Sequence, residues 1–325
     1  MSTTDDTTAE PRPAAGTPPP GRGPVFLAGA DRSGIGLLGE LLEHHPSFAL
    51  TRRTDYWTRV VGRYGDLRHR PNLDRLLDEI AADRRLRLLT PDRQRLDRDL
   101  AGDEASYVRL FAMLQEQRAA RLDRARWGDK SLGNERHADQ ILGAYPEARM
   151  VQVLRDPRDR FASQKYHRGL GRGGLGAGAA MWRDSARRAV HNAIRYPERY
   201  LVVHYERLVR DPASVLHEVV TFLGEPASTA ATTLAAAEAD AAGPGPLHDR
   251  SVGRFRRDLE PSEVAFLELA TRPWADRLGY PTGEKGQDRV RGLRFALAEV
   301  PRHGAGMLAW SLRTRLPARA KLRPR

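Results

Sequence analysis

The sequence contains no cysteine among its 325 residues. This absence excludes disulfide bonds, thiolate catalysis and any zinc or iron–sulfur site that depends on cysteine ligands. Long apolar runs are also absent, since none reaches the roughly 18–20 residues that a membrane-spanning helix needs. The N-terminal segment is polar and proline-rich and includes Asp5 and Asp6, which is not typical of a signal peptide. Together these absences predict a cytoplasmic protein.

Acidic residues are in the minority. The chain has 42 aspartates and glutamates against 54 lysines and arginines, which gives a formal net charge of +12 and a pI of about 10.5. Such a charge favours an anionic partner, which can be a nucleotide, a nucleic acid, a lipid headgroup or a sulfated product. Charge alone does not distinguish among these partners, so the choice rests on motifs.

Composition divides the chain into three parts. Residues 1–23 are rich in threonine, proline, alanine and glycine and are predicted to be disordered. Residues 24–280 are long enough for one large domain, and residues 281–325 form a basic tail. Within the domain, residues 56–125 show apolar positions at helical spacing among many arginines. We therefore predict a helical insertion that shapes a substrate cleft.

Short apolar runs predict strands at residues 25–28, 48–50, 148–155 and 200–204. Residues 126–131 are predicted to be a fifth short strand that breaks into a loop. Segments of helical pattern separate them, and this alternation predicts an α/β fold with a mostly parallel central sheet covered on both faces. Ligands of such sheets bind at the carboxyl ends of the strands. The glycine-rich segment 169–178, in contrast, is predicted to be a loop that contributes to the acceptor site.

The first predicted strand leads into a glycine-bounded loop, Gly29 to Gly34, and then into a helix. In such a unit the backbone N–H groups of the loop and of the first helical turn point inward, and the helix dipole favours an anion there. Arg32 adds a positive charge and Ser33 adds a hydroxyl group. The segment therefore predicts a phosphate site, with a ligand-free glycine turn as the alternative.

The same loop departs from the nucleotide-binding P-loop. Gly29 and Gly34 have the spacing of the first half of that motif, but Ile35 and Gly36 stand where lysine and serine or threonine belong. A P-loop kinase or NTPase is therefore an alternative that the second half of the motif disfavours. The predicted strands also end without a clear acidic group for Mg²⁺.

Four blocks, taken in order, resemble the sulfotransferase family that uses 3′-phosphoadenosine 5′-phosphosulfate (PAPS). They are residues 25–38, residues 127–131 (Trp-Gly-Asp-Lys-Ser), residues 153–163, which begin Val-Leu-Arg-Asp-Pro-Arg-Asp, and residues 203–212 (Val-His-Tyr-Glu-Arg-Leu-Val-Arg-Asp-Pro). The late segment from Ser251 to Arg254 is also similar. The likeness is closest to the bacterial and Golgi-type branch with a Pro-Arg-Ser-Gly loop. It covers about residues 24–280 and implies a three-layer P-loop NTPase-like fold.

The resemblance also implies where PAPS binds. The 5′-phosphosulfate lies on the glycine loop, the 3′-phosphate lies on Arg155 and Ser163, and Tyr205 lies near the adenine. The residues implied in cofactor binding are Arg32, Ser33, Gly34, Ile35, Gly36, Arg155, Ser163, Tyr205 and Arg254. The implied reaction moves a sulfuryl group to an acceptor hydroxyl, favoured over an amine, and releases 3′-phosphoadenosine 5′-phosphate (PAP).

The resemblance suggests how catalysis works. Sulfuryl transfer resembles phosphoryl transfer, so positioning and charge stabilisation are expected to dominate. Arg32 and Lys130 are expected to neutralise the charge that develops on the bridging oxygen. Asp55 is the nearest carboxylate at the start of the acceptor segment, and it is the expected general base. The reaction needs no metal, and no cluster of metal ligands stands out in the sequence.

A second hypothesis keeps the fold and the nucleotide site but not the activity. Ile35 and Gly36 replace two hydroxyl residues that the family places near the 5′-phosphate. Asp31 also brings a negative charge to the anion site, which weakens phosphate binding unless an arginine pairs with it. These departures leave a catalytically impaired pseudo-sulfotransferase as an alternative.

The basic tail supports two further hypotheses. After Gly286, arginines alternate with apolar residues such as Trp310. A segment of this kind binds an anionic membrane surface or remains a solvated tail, and both alternatives stay open. The expected acceptor is a small molecule, a glycan or a lipid-like compound, without a specific nucleic-acid partner. A protein that binds nucleic acid or membranes through charge alone is the remaining alternative.

Overall fold

The computed structural model describes residues 22–100, 105–168, 174–240, 249–280 and 303–312. The strands are β1 (Val25–Ala28), β2 (Phe48–Arg52), β3 (Arg126–Lys130), β4 (Arg149–Leu154) and β5 (Tyr200–His204). They pair in one fully parallel sheet in the order β2-β3-β1-β4-β5. All five predicted strands are present, with small differences at their ends.

Helices connect the strands and cover the sheet. Before β3 these are α1 (Ile35–Glu43), α2 (Tyr56–Arg59), α3 (Arg70–Ala82), α4 (Arg93–Asp99) and α5 (Tyr107–Arg121). Between β3 and β5 they are α6 (Ala138–Ala144), α7 (Pro157–Arg168) and α8 (Gly174–Arg195). After β5 they are α9 (Tyr205–Arg210), α10 (Pro212–Phe222), α11 (Thr229–Asp240), α12 (Phe255–Asp258) and α13 (Pro261–Arg277). Short 3₁₀ helices span Arg87–Leu89, Asn134–His137 and Asp249–Ser251, and a further α-helix spans residues 303–312.

β1 lies at the centre of the sheet and is fully buried. Because side chains alternate along a strand, its residues serve both faces of the sheet. Phe26 and Ala28 pack in the cluster that includes α3, α5 and α6, whereas Val25 and Leu27 pack in the cluster that includes α1, α9 and α10. The sheet is thus a layer between two helical layers, and the predicted three-layer P-loop-like α/β fold is confirmed.

The helices between β2 and β3 cover one face of the sheet. The buried residues of α3 are Leu73, Leu76, Leu77 and Ile80, and those of α5 include Leu110, Phe111 and Leu114. These side chains belong to the same cluster as Phe26 and Met150 of the sheet. The helices of the predicted insertion therefore supply a large part of the hydrophobic core.

The glycine-rich segment 169–178 is not a loop in its second half, because α8 already begins at Gly174. The prediction of a loop was wrong there for a tertiary reason. A Cβ atom at Gly176 would collide with the carbonyl group of His303. Glycine is needed for this close packing, although its intrinsic preference is against the helix. Residues 169–173 lie outside the described part of the chain.

The helix over residues 303–312 packs on the domain. The guanidinium of Arg136 lies 4.9 Å from the centre of the Trp310 ring. Leu308 and Leu312, in contrast, are exposed on this helix. Trp310 therefore contacts the domain, although the sequence had assigned it to a tail that is either solvated or bound to a membrane.

The rest of the tail, residues 281–302 and 313–325, lies outside the described residues. The membrane contact predicted for the tail therefore stays a prediction. Among the helices that the structure describes, none is both long and apolar enough to cross a bilayer.

Candidate functional site

A cavity of about 420 Å³ lies at the carboxyl ends of the central strands. The predicted site residues on its wall are Arg32, Gly34, Ile35, Gly36, Lys130, Arg155 and Tyr205. Its other wall residues are Asp31, Leu37, Glu40, Arg52, Arg53 and Leu132. The predicted site residues that do not contribute to this wall are Ser33, Asp55, Ser163 and Arg254. The cavity has the size of an ordinary ligand site.

The glycine loop after β1 has the conformation that its sequence requires. Arg32 and Gly34 both have a left-handed backbone, with φ of 70° and 101°. A Cβ atom at Gly34 would collide with the ring of Tyr205, so glycine is needed here for space as well as for conformation. The loop thereby brings the backbone close to Tyr205 at the floor of the cavity.

The hydrogen bonds of Ser33 and the uncapped N-terminus of α1 determine which groups of this segment are available to a ligand. The backbone N–H and the hydroxyl of Ser33 both donate to the carbonyl of Ala30, at 3.1 and 2.6 Å. Ser33 therefore stabilises the loop itself. Within the described residues no side chain caps the N-terminus of α1. The first N–H groups of this helix, at Ile35 and Gly36, thus remain available for an anion.

Two buried side chains that the sequence did not single out hold the loop in place. The N–H of Gly29 donates to Glu135 Oε2 at 3.1 Å, and Arg160 Nε donates to the carbonyl of Asp31 at 2.9 Å. Burial lowers the pKa of Arg160 to about 10, and the nearby charge of Asp31 partly opposes this shift. The loop is therefore held at its first residue and at Asp31 by residues from distant parts of the chain.

Arg155 directly follows β4 and is almost completely buried. Its Nη2 donates to the carbonyl of Ser251 at 2.7 Å, and its guanidinium lies 4.4 Å from the centre of the Tyr205 ring. Its Nε has no hydrogen-bond partner among the described residues. Burial lowers the pKa of Arg155. A buried cation with an unused N–H group on a cavity wall fits a phosphate ligand.

Ser163 lies in α7 and accepts a hydrogen bond from Arg32 Nε at 3.1 Å. Arg32 also accepts a long hydrogen bond, 3.4 Å, from Arg155 Nη1 through its carbonyl. The structure thus links the residues expected at the 5′-phosphosulfate with those expected at the 3′-phosphate. Arg32, Ser163 and Arg155 thus share one hydrogen-bond network, in which Arg32 takes part through both its side chain and its carbonyl.

The segment from Ser251 to Phe255 reaches the site through its first residue. The hydroxyl groups of Ser251 and Tyr205 lie 2.6 Å apart. The carboxylate of Asp159 accepts hydrogen bonds from the N–H groups of Gly253 and Phe255, at 2.6 and 3.0 Å. Asp159 therefore positions the segment that contacts Arg155 and Tyr205, a role that the sequence did not reveal.

Arg254 faces another cavity. Its guanidinium forms an ion pair with Asp258 at 2.7 Å and lies 5.2 Å from the centre of the Tyr166 ring. Arg254 and Tyr166 line a separate, open cavity together with Ser251. Arg254 does not line the main cavity, and its contact with the cofactor stays a prediction.

Lys130 is the last residue of β3 and is buried at the cavity wall. Its Nζ lies 3.8 Å from Glu43 Oε1. Burial lowers the pKa of Lys130, and the charge of Glu43 opposes this shift. A Cβ atom at Gly39 of α1 would collide with the Lys130 side chain. Gly39 thus leaves the space through which this lysine reaches the cavity.

Asp55, the expected general base, lies away from the cavity wall. Its Oδ2 accepts a hydrogen bond from Arg85 Nη1 at 2.7 Å. Burial raises the pKa of Asp55, although the charges of Arg85 and neighbouring arginines oppose this shift. The carboxylates that do line the cavity are Asp31 and Glu40. Glu40 follows Gly36 by one turn of α1, a position that the sequence offered no reason to choose.

Comparisons with known proteins find a matching family model and solved structures of similar fold. Residues 24–229 match the model of a family described as the sulfotransferase family. The sulfotransferase domain from the Synechococcus PCC 7002 olefin synthase is similar in structure, with a TM-score of 0.50 and 20% identity over 82% of this chain and 99% of that domain. A comparison with curated proteins finds no significant match.

Two further solved structures are similar at lower scores. The sulfotransferase domain from the curacin biosynthetic pathway has a TM-score of 0.48 and 19% identity over 80% of this chain and 99% of that domain. The sulfotransferase STF9 from Mycobacterium avium has a TM-score of 0.46 and 18% identity over 79% of this chain and 77% of that protein.

Proposed function

Because the chain belongs to the sulfotransferase family, we propose that it moves a sulfuryl group from PAPS to an acceptor hydroxyl and releases PAP. One observation carries this proposal. The cavity brings Arg32, Lys130 and Arg155 together with the open N-terminus of α1. Cations and unused N–H groups in one cavity match a ligand with phosphate groups at two positions.

The residues of the cavity suit PAPS in distinct roles. Arg155 would hold the 3′-phosphate through its guanidinium at the cavity wall, and Ser163, which bonds to Arg32 beside that wall, would contact the same phosphate. The N–H groups at the start of α1 would hold the 5′-phosphate. Tyr205 forms the floor of the cavity beside Arg155, where it would contact the adenosine. Arg32 and Lys130 would lie at the bridging oxygen.

The reaction exchanges one sulfur–oxygen bond for another. PAPS supplies an activated sulfuryl group, and PAP leaves with the electron pair of the broken bond. Lys130 and Arg32 would stabilise the negative charge that grows on the leaving oxygen. A carboxylate of the protein would accept the proton of the acceptor hydroxyl.

Glu40 is better placed than Asp55 to accept that proton. Helical side chains point back toward the N-terminus of their helix, so Glu40 leans toward the phosphate end of α1. A Cβ atom at Gly36, one turn earlier, would meet no atom within 4 Å. Open space therefore separates Glu40 from the glycine loop, and an acceptor hydroxyl would fit there.

Replacement of Glu40 by glutamine is expected to lower kcat about 100-fold, because the amide cannot accept the acceptor proton. Asp55→Asn serves as the matched control and is expected to change kcat little. The measurement is the rate of sulfuryl transfer from radiolabelled PAPS to a panel of phenols and alcohols. If Asp55→Asn lowered kcat strongly and Glu40→Gln changed it little, Asp55 would be the general base and Glu40 would not.

The pseudo-sulfotransferase remains the second candidate for a specific reason. Ile35 is buried in the hydrophobic cluster of α1, and Gly36 carries no side chain. The 5′-phosphate would therefore receive no hydroxyl group from either position. This candidate predicts PAP binding without transfer from PAPS to any acceptor.

Calorimetric titration with PAP, AMP and Mg·ATP tests the proposal. PAP is expected to bind about 100-fold more tightly than AMP, because AMP lacks the phosphate that Arg155 would hold. Equal binding of PAP and AMP would contradict the assignment of the 3′-phosphate site, and preference for Mg·ATP would favour a kinase or NTPase. Transfer from radiolabelled PAPS then separates the active enzyme from the pseudo-enzyme.

A further inference from the structure

Arg53 is a cation on the cavity wall that forms no ion pair among the described residues, although its charge acts on the nearby carboxylate of Asp55. Its Nε is buried and has no hydrogen-bond partner among the described residues. The neighbouring Arg52 differs, since its Nε donates to Glu43 Oε1 at 2.8 Å. Lys130 lies near the same Glu43. Arg53 thus places a positive charge on the cavity wall without forming an ion pair of its own among the described residues.

The backbone fixes Arg53 in place. Arg53 and Asp55 both have a left-handed conformation, with φ of 54° and 50°. The N–H of Arg53 donates to the carbonyl of Lys130 at 2.6 Å. Thr54 and Asp55 each form a hydrogen bond to a side chain next to Lys130, at 2.7 and 2.9 Å. A costly conformation held by successive hydrogen bonds is typical of a functional position.

The order of the strands places Arg53 on the acceptor side. Arg53 follows β2, whereas Arg155 follows β4, and β3 and β1 lie between these strands. Neighbouring strands are about 4.8 Å apart, so β2 and β4 are separated by roughly 14 Å. The 3′-phosphate and adenosine would occupy the side of Arg155 and Tyr205. Lys130, which would act on the bridging oxygen, lies between the two sides.

We propose that Arg53 binds an anionic group of the acceptor, so that the natural acceptor is a hydroxyl compound with a carboxylate or a phosphate. This inference rests on the proposed function and adds the substrate class to it. A half-buried guanidinium on the cavity wall gains a charge-assisted hydrogen bond from such a group. A neutral acceptor would offer Arg53 no such charge-assisted hydrogen bond.

Binding of acceptor analogues to the PAPS-saturated protein tests this inference. Benzoate and phenyl phosphate carry the anion, and methyl benzoate is the neutral counterpart. None of them has an alcohol or phenol hydroxyl that could accept the sulfuryl group, so PAPS stays intact and its sulfuryl group occupies its own site. Wild type is expected to bind benzoate or phenyl phosphate roughly 10- to 100-fold more tightly than methyl benzoate.

Variants then assign the preference to Arg53. Arg53→Gln is expected to remove it, and Arg53→Lys is expected to retain part of it because the charge remains. Arg63→Gln removes one charge from an exposed position outside the cavity and is expected to retain the full preference. PAP affinity is expected to be the same in wild type and Arg53→Gln.

The outcomes separate this inference from the proposed function. If PAPS does not bind, both fail. If PAPS binds but the anions bind no better than methyl benzoate, or do not bind, only the assignment of an anionic acceptor fails. If the anions bind to the PAP complex but not to the PAPS complex, Arg53 belongs to the sulfuryl site and the inference is also overturned.

Discussion

Replacement of Arg155 by alanine is expected to weaken PAP binding by about 100-fold, because one planar cation would supply both charge and hydrogen-bond donors to the 3′-phosphate. The same replacement removes the hydrogen bond to the carbonyl of Ser251 and the stacking on Tyr205. A loss of PAP binding alone would therefore not separate a phosphate contact from a general loosening of the site.

A thermodynamic cycle with AMP makes that separation. If Arg155 binds the 3′-phosphate, Arg155→Ala weakens PAP strongly but AMP only slightly, because AMP lacks this phosphate. If the alanine variant weakens both nucleotides equally, Arg155 supports the cavity and does not bind the phosphate. Arg155→Lys keeps the charge but loses the planar fork, and it is expected to recover only part of the affinity.

A matched control shows that the effect is local. Arg207 lies in α9, close to Tyr205 in sequence, and forms an exposed ion pair with Glu218. Arg207→Ala removes an equal charge from the same region of the protein, outside the main cavity. PAP affinity is expected to stay within about threefold of wild type, since exposed ion pairs contribute little. Thermal unfolding of each variant checks that the fold is retained.

The sheet and the phosphate side of the cavity could be predicted because their signals are local. Parallel strands that are buried on both faces produce short apolar runs, and such runs indicated β1, β2, β4 and β5. Arg155 directly follows one of these runs, whereas Lys130 ends β3, a predicted strand that is mostly polar. Once a parallel sheet is inferred, residues at the carboxyl ends of neighbouring strands must lie close together.

The supports of the glycine loop could not be predicted, because they depend on distant contacts. Glu135 reaches Gly29 across 106 positions of sequence, and Arg160 reaches Asp31 across 129 positions. No periodicity or motif marks such a pair in a single sequence. Gly176 illustrates the same limit, since its contact with residue 303 turns an expected loop into helix.

Asp55 was predicted as the general base only from its position at the start of the acceptor segment. Position along the chain does not show where a side chain points, so this was weak support. Asp55 follows β2, as an acceptor-side carboxylate would, but its side chain bonds to Arg85 of the helical region. Glu40 lies within α1, where sequence alone indicates only an exposed helical residue. Its value as a candidate comes from the cavity that Lys130 and the glycine loop create around it.

Replacement of Lys130 by methionine is expected to lower kcat by about 100- to 1,000-fold, the usual effect of removing one preorganised group that stabilises transition-state charge. PAP affinity is expected to fall much less, because the charge on the bridging oxygen grows only during the reaction. The measurement compares kcat from transfer of radiolabelled PAPS with the dissociation constant of PAP. A variant that loses both equally would assign Lys130 to ground-state binding.

The pH profile supplies a second readout for the same lysine. Burial lowers the pKa of Lys130 below that of an ordinary lysine. Only the protonated form carries the charge, so kcat is expected to fall as the pH rises through this lowered pKa. Lys130→Met is expected to abolish this alkaline limb, because the residual activity no longer depends on the ammonium group. A limb that persists in the variant would assign the titration to another residue.

A substitution next to the lysine tests its position without removing its charge. Gly39→Ala places a methyl group where the Lys130 side chain passes, so the lysine must move. We expect a loss of kcat in the same direction as Lys130→Met, but smaller, with PAP binding retained. Gly143→Ala is the matched control, because a Cβ atom at this helical glycine would meet no atom within 4 Å. If only Gly39→Ala slows transfer, the placement of Lys130 in the cavity, and not merely its presence in the chain, determines the rate.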